Sequence, residues 1–393
     1  MPFGSAAASP RQLLALFGYA LVTWSTGNGL LPLLPIVAAN LGADKILVGI
    51  YLATSYVALA LGTVVAGFLA DRYGRHKRIM ILCALAGTPI LLLVSQVATL
   101  WALAALTACA WCVSGMGVTL VTIEGGLLAD PRHRGGVLGF LAVAGPLGSI
   151  VGGFGVGGLA DAVGYTRMWI FLGLAYLLCP AFALFLKDAP AGVPAPERPA
   201  RGSGVHWTLP FLLLILCGIL GASGSFLGGL GRSFAMQSKF DAASITSTVA
   251  VSGIVALPFT LMVGWMSDRR GRVPLMSLCY AAGSIGLLVY SAAESLISFW
   301  VAASLVAFIS YVASGVGSAL VVDLVDRPAV GRGLAYFGAT GWIGAILAFG
   351  GGGVAFSRFG LRMGFVLGAG LVVAGLVLLV VIAAVRRKPA RKE

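Results

Sequence analysis

Charge is what this chain has least of. Only 10% of its 393 residues are Asp, Glu, Lys or Arg, where a water-soluble domain carries roughly 25%. Acids are the scarcer sign, 13 against 26 Lys and Arg. A chain that is 59% hydrophobic, with a mean hydropathy of +1.00, cannot cover itself with water-facing side chains. That excludes an ordinary soluble domain and leaves the lipid bilayer as the natural solvent. Histidine is nearly absent too, with only His76, His133 and His206. The six cysteines all lie in apolar runs. Cys109 and Cys112 have C-x-x-C spacing, but no second Cys or His pair accompanies them, so no metal site is expected. There is no Ser–His–Asp set and no phosphate loop, which excludes an enzyme reading and a cofactor. The start, MPFGSAAASPRQ, lacks the basic region and cleavage site of a signal peptide. The first apolar run is therefore expected to be the first membrane span.

What the chain does have is long apolar runs. A membrane-spanning helix needs about 20 mostly apolar residues. Twelve such runs lie near 12–38, 46–70, 79–97, 100–128, 136–159, 166–186, 208–235, 243–266, 273–292, 296–323, 333–356 and 362–385. They are too uniformly apolar for the alternating strands of a barrel. The long polar break, KDAPAGVPAPERPARGSGVHW from Lys187 to Trp207, has linker composition. The expected organisation is a six-helix bundle over 1–187, a cytoplasmic linker over 188–207, and a second six-helix bundle over 208–393 with a basic tail. Placing both termini in the cytoplasm puts twenty of the 26 Lys and Arg on that side and six elsewhere, as the positive-inside rule requires. The same placement explains the basic pI near 9.8 without nucleic acid.

The two halves repeat. Gly67, Asp71, Arg72, Gly74 and Arg75 reappear 197 positions later as Gly264, Asp268, Arg269, Gly271 and Arg272. Arg134-Gly135 matches Arg332-Gly333, and GYTRMWIFLG at 164 echoes FGLRMGFVLG at 359. Parallel repeats of this kind place a substrate near the bilayer midplane between the halves.

The loop Gly67-x-x-x-Asp71-Arg72-x-Gly74-Arg75-x-Lys77-Arg78 resembles the signature loop of the major facilitator superfamily, and the twelve runs, linker and second copy fit that resemblance. It implies an all-α integral membrane protein of two pseudo-symmetric six-helix bundles. It also implies a cytoplasmic gating latch. Asp71 would face the N-terminus of span eleven, where free amides favour an anion, and Arg75 would meet Glu124 or Asp130. In the second copy Asp268 would face span five, and Arg272 would meet Asp323 or Asp326. Arg72 and Arg269 belong to the same latch. Span five carries Gly145-Pro146-x-Gly148-x-x-x-Gly152-Gly153, which is similar to the Gly-Pro motif of drug-proton antiporters, with a different upstream glycine spacing. The dinucleotide-like Gly153-x-Gly155-x-x-Gly158 lies at the end of a span and lacks the strand such a motif needs.

By the same resemblance spans one, four, seven and ten line the cavity. Trp24, Asn28, Trp111, Met116, Phe226 and Tyr311 lie near mid-depth on them, and suit an apolar or amphipathic small molecule. Arg232, in the outer third of span seven, either meets an anionic substrate or reaches the interface. No acid lies at mid-depth. Proton coupling would therefore fall to Glu124 or Asp323, the acids within spans. The expected activity is secondary active, proton-coupled efflux by a monomer in a prokaryotic inner membrane. Uptake of an organic metabolite or anion is the alternative within transport, and a non-transporting sensor or assembly factor the alternative outside it.

Overall fold

A computed structural model describes residues 9–129, 134–187, 205–326 and 329–387. Its regular elements there are all helical: α1 (Pro10–Leu30), α2 (Leu34–Asn40), α3 (Lys45–Tyr73), α4 (His76–Val94), α5 (Leu100–Leu128), α6 (Arg134–Ala142), α7 (Ala144–Tyr176) and α8 (Leu178–Leu184), then α9 (Leu209–Met236), α10 (Ala242–Arg270), α11 (Arg272–Ser291), α12 (Leu296–Ala307), a π-helical segment (Phe308–Ala313), α13 (Ser314–Leu324), α14 (Val330–Arg358) and α15 (Gly360–Arg387). Among the described residues ten helical runs are long and apolar enough to cross a bilayer, and α1 with α2, bent by 46°, makes an eleventh. One run, Gly136–Leu184, has 49 residues. At 1.5 Å per residue it would be about 74 Å long, more than twice the roughly 30 Å hydrocarbon core. It is broken at Gly164, whose φ of 81° and ψ of 162° are not helical, so it supplies two crossings and brings the number to twelve.

The repeat is visible in the backbone. Gly74 and Gly271 both have positive φ, 59° and 83°, and so do Gly164 and Gly360, 81° and 77°. These are turns in which a Cβ is strained. Helix starts repeat as well. Asp44 accepts the Leu47 amide at 2.7 Å and Asp241 the Ser244 amide at 2.8 Å. Thr99 caps α5 and Ser295 caps α12. Each carboxylate or hydroxyl satisfies an amide that the first helical turn leaves open. The Ser244 hydroxyl and amide also hold Asp241 below the usual carboxylate range.

The chain forms two compact units. The first takes residues 1–42, 54–195 and 241–250, and the second 43–53, 196–240 and 251–393. The first turns of α3 thus pack with the second unit, and those of α10 with the first. Within the first unit α1 lies against α7, and α4 against α5; within the second, α9 packs on both α14 and α15. Many residues on the outward faces are large and apolar, including Leu61, Val64, Phe68, Leu82 and Trp101, as a lipid-facing surface requires.

Candidate functional site

The signature loop closes α3 and opens α4. Asp71, Arg72 and Arg75 are exposed. Arg75 is the N-cap of α4, at φ −106° and ψ 58°, and the helix begins with His76. That one-residue step turns His76 inward. Its Nδ1 lies 2.5 Å from Glu124 Oε1 on α5, and both residues are buried, 8% and 5% exposed. The His76 Nε2 lies 3.4 Å from the Ala70 carbonyl in the last turns of α3. The partner of Glu124 is therefore the histidine beside Arg75. Asp130, the other acid offered for Arg75, lies outside the described residues.

The second unit builds the matching corner differently. Arg272 Nη1 lies 2.6 Å from Asp323 Oδ1 and also donates to the Ala319 carbonyl, and Arg386 Nη2 is 4.0 Å from Asp323 Oδ2. Arg272 and Asp323 keep 25% and 34% of their side-chain surface in contact with solvent. Asp326 is exposed, and the side chain of Asp268 lies outside the described set. The arginines that follow the two loop aspartates share a posture. Arg72 lies 6.0 Å from the Phe68 ring and 5.7 Å from Tyr73, and Arg269 lies 4.3 Å from Trp265. A guanidinium over an aromatic face keeps its charge at the interface while its stem covers apolar surface.

Deeper in the first unit, the Asn28 side-chain amide donates to Ser149 Oγ at 2.8 Å and to the Gly145 carbonyl at 3.4 Å, which ties α1 to the Gly-Pro motif of α7. Ser25 Oγ is buried with no hydrogen-bond partner among the described residues. Trp24 stands against Gly148, where a Cβ would lie 2.6 Å from the tryptophan Cβ. Pro146 is buried. Trp111 is 7% exposed, and Met116 Sδ is 4.0 Å from Cys83 Sγ. In the second unit Phe226 meets Phe349 edge-on at 5.6 Å. Tyr311 lies in the π-helical segment, next to Ser310, which bonds Ser225 at 2.9 Å. A π turn interrupts regular helix and often marks a functional site.

Arg232 stands apart from these residues. It follows Phe226 by six positions, about 9 Å along α9, and is 7% exposed. Its charge lies beside Tyr290, and its Nε has no partner among the described residues. Aromatic rings crowd the same end of the unit: Tyr290 stacks on Phe365 at 5.3 Å, and Phe356 meets Phe365 and Phe234 edge-on.

Sequence reasoning missed one further contact. Gly153, Gly157 and Asp161, spaced by four, share one face of α7 and hold the start of α10. A Cβ at Gly153 would lie 2.5 Å from the Ala250 nitrogen, and one at Gly157 would strike Thr246 Oγ1. The Asp161 carboxylate accepts the amides of Ala242 and Ala243 at 3.1 and 2.7 Å, a charge-assisted cap on a helix N-terminus. The i, i+4, i+8 spacing was the available signal.

The sequence matches the family described as Major Facilitator Superfamily over residues 14–311 and again over 213–393. It is 25% identical over 306 residues to the Escherichia coli K12 protein named uncharacterized MFS-type transporter YhjX, covering 73% of this chain and 72% of that one. It is 34% identical over 116 residues to the phosphoglycerate transporter protein of Salmonella typhimurium LT2, covering 28% of this chain and a quarter of that one. The fold superposes on the nucleoside transporter NupG with a TM-score of 0.77 at 14% identity, over 94% of this chain and 99% of that one. On a peptide transporter POT in complex with alafosfalin the TM-score is 0.78 at 14% identity, over 98% and 96%.

Proposed function

Because the chain belongs to the major facilitator superfamily and is a multi-pass membrane transporter rather than an enzyme, we propose that it is a secondary active transporter working by alternating access. It exports small apolar or amphipathic compounds in exchange for protons, with both termini in the cytoplasm of a prokaryotic cell. One observation carries the proton coupling: Glu124 is a buried acid joined to a titratable imidazole at 2.5 Å. A carboxylate held inside a bundle is a functional candidate by default, and here its partner is an imidazole, the side-chain type whose ordinary range lies nearest neutral pH. Export rests on the Gly145-Pro146 motif and its likeness to that of drug-proton antiporters. The apolar substrate class rests on Trp24, Trp111, Met116, Phe226 and Tyr311, with Asn28 as a sparse polar group among them. Asp71, Arg72, Arg75, Asp268, Arg269, Arg272 and Asp323 serve the cytoplasmic latch in this reading.

The test is accumulation of lipophilic dyes in efflux-deficient cells expressing the protein. Accumulation is expected to fall, and a protonophore to restore it. Unchanged accumulation across a broad dye panel would reject drug-like export.

Arg232 favours a second reading, transport of an organic anion. A buried guanidinium with an unpartnered Nε has donors to offer a carboxylate or phosphate, and one relative is named for a phosphorylated metabolite. On this reading Arg232→Ala loses anion uptake in proteoliposomes and leaves dye export intact, while Arg232→Lys keeps the charge but not the fork. Equal anion uptake in wild type and Arg232→Ala would remove the reading.

A further inference from the structure

We propose that His76 and Glu124 form a single protonation site that makes the junction between α3 and α4 respond to pH. The inference deepens the proton-coupled reading by giving the coupling acid a partner and a mechanical consequence.

A neutral imidazole ring has one N–H and one lone pair, whereas the imidazolium has two N–H groups and no acceptor. Both nitrogens of His76 face oxygen acceptors. Nδ1 faces the Glu124 carboxylate at 2.5 Å, and Nε2 faces the Ala70 carbonyl at 3.4 Å. Only the imidazolium can donate to both. The Ala70 carbonyl also accepts the Gly74 amide at 3.0 Å, so it lies in the turn that ends α3. Gly74, at a φ of 59°, is the pivot that follows. The protonated ring thus ties α3 to α5 across the loop.

Loss of one proton to water breaks that arrangement. The ionised carboxylate keeps the remaining N–H at Nδ1. The lone pair now on Nε2 points at the lone pairs of the Ala70 carbonyl, an unfavourable contact in a buried place. The tie to α3 is lost while the tie to α5 persists.

Among the described residues the surrounding charges do not supply another switch in this range. Asp71 and Arg72 end α3, Arg75 caps α4, and Lys77 and Arg78 follow on its first turn. Lys77 is occupied with the Leu184 carbonyl at 2.9 Å. On α5 the last three turns hold no titratable side chain besides Glu124. From α1 the Tyr19 hydroxyl donates to the Met80 carbonyl of α4, from α7 Tyr176 stands against Gly87 further inside, and Lys187 lies beyond α8. At the matching corner of the second unit Arg272 takes the place of a titratable donor, and a guanidinium stays charged at every physiological pH. Among the described residues, the second copy of the loop therefore has no matching pH-sensitive donor.

Hydrogen exchange on the full-length protein in lipid nanodiscs tests this. Peptides covering 67–80 would be followed at about pH 5.5 and about pH 8.5, on either side of the ordinary histidine range, with exchange corrected for its intrinsic pH dependence. In the wild type the protection of these peptides is expected to be about tenfold greater at the lower pH, the worth of one hydrogen bond to a charged group. Peptides covering 264–277 are expected to show no difference. His76→Gln is expected to be insensitive to pH, and His76→Arg to stay protected at both values, since its charge is permanent. Equal wild-type protection at the two values, or a pH difference that survives in His76→Gln, would overturn the proposal. Failure here is separable from failure of the transport reading. Protonophore-insensitive transport with a pH-dependent junction would reject the coupling alone. Protonophore-sensitive transport with a pH-insensitive junction would reject the junction alone.

Discussion

Glu124→Gln is expected to abolish the protonophore-sensitive part of transport while leaving the protein folded. The amide keeps the shape of the carboxylate and still offers an oxygen to His76 Nδ1, so the packing between α4 and α5 survives. Without the negative charge of Glu124 the buried His76 imidazolium has no counter-ion, so the pair no longer takes up and releases a proton. Glu124→Ala is the harsher change. It leaves His76 at 8% exposure facing an empty, buried acceptor position. Removing one member of a buried ionic pair costs about 3–5 kcal/mol, a large share of the stability of most domains. Folded yield and thermal stability are expected to fall sharply in Glu124→Ala and little in Glu124→Gln. Substrate exchange down its own gradient, measured without a proton gradient, is expected to persist in Glu124→Gln. Proton-driven accumulation by Glu124→Gln at the wild-type rate would show that the charge of this acid is not needed for coupling. Asp323→Asn is the matched comparison. Its partner Arg272 keeps the Ala319 carbonyl, and the site is open to solvent, so a much smaller effect on stability follows.

How much of this was legible in the sequence differs from one link to the next. The spans were, because a bilayer demands length and apolarity and nothing subtler. The run read as 100–128 is the helix Leu100–Leu128. The bend after α1 and the π turn at Phe308–Ala313 were not. Both depend on how neighbouring helices pack, which composition does not record. The repeat was legible as motif spacing, and it returns as paired positive-φ glycines and paired helix caps. His76 was the main residue overlooked. Written on the page it is one more basic residue in GRHKR, and the alternation of exposed and buried positions there depends on which residue begins α4. Arg75 holds a non-helical conformation and stays outside, whereas His76 holds the first helical one and turns in. A shift of a single residue in that boundary would exchange their roles, and boundaries are what sequence patterns fix least well.

The glycines of α7 carry the other large expectation. The motif read from the sequence treats them as one row, but adjacent positions on a helix point about 100° apart, and the row serves two neighbours. Gly148 and Gly152 face α1. A Cβ at Gly148 would lie 2.9 Å from the Ser25 nitrogen, and one at Gly152 would strike the Ser25 carbonyl oxygen, while Gly29 on α1 would meet the Gly152 carbonyl at 2.5 Å in return. Gly153 faces the start of α10. The atoms opposed at Gly152 are backbone, which has no rotamer to yield. Helices in lipid associate through such close approach, since no hydrophobic effect drives them together. Gly152→Ala is expected to cost about 2 kcal/mol and Gly152→Leu about 3 kcal/mol or more, the upper part of the range for overpacking. Gly152→Leu should then fail to give monodisperse protein in detergent. Gly155 and Gly158, on the same helix with nothing within 4 Å of a Cβ, provide the controls. Gly155→Ala and Gly158→Ala are expected to melt at or a few degrees above wild type, because alanine relieves the roughly 0.5–1 kcal/mol entropic cost of glycine in a helix. If Gly152→Ala melts with those controls, the close contact of α1 with α7 at Ser25 is not what holds this bundle together, and Asn28 and Ser149 alone must secure that face.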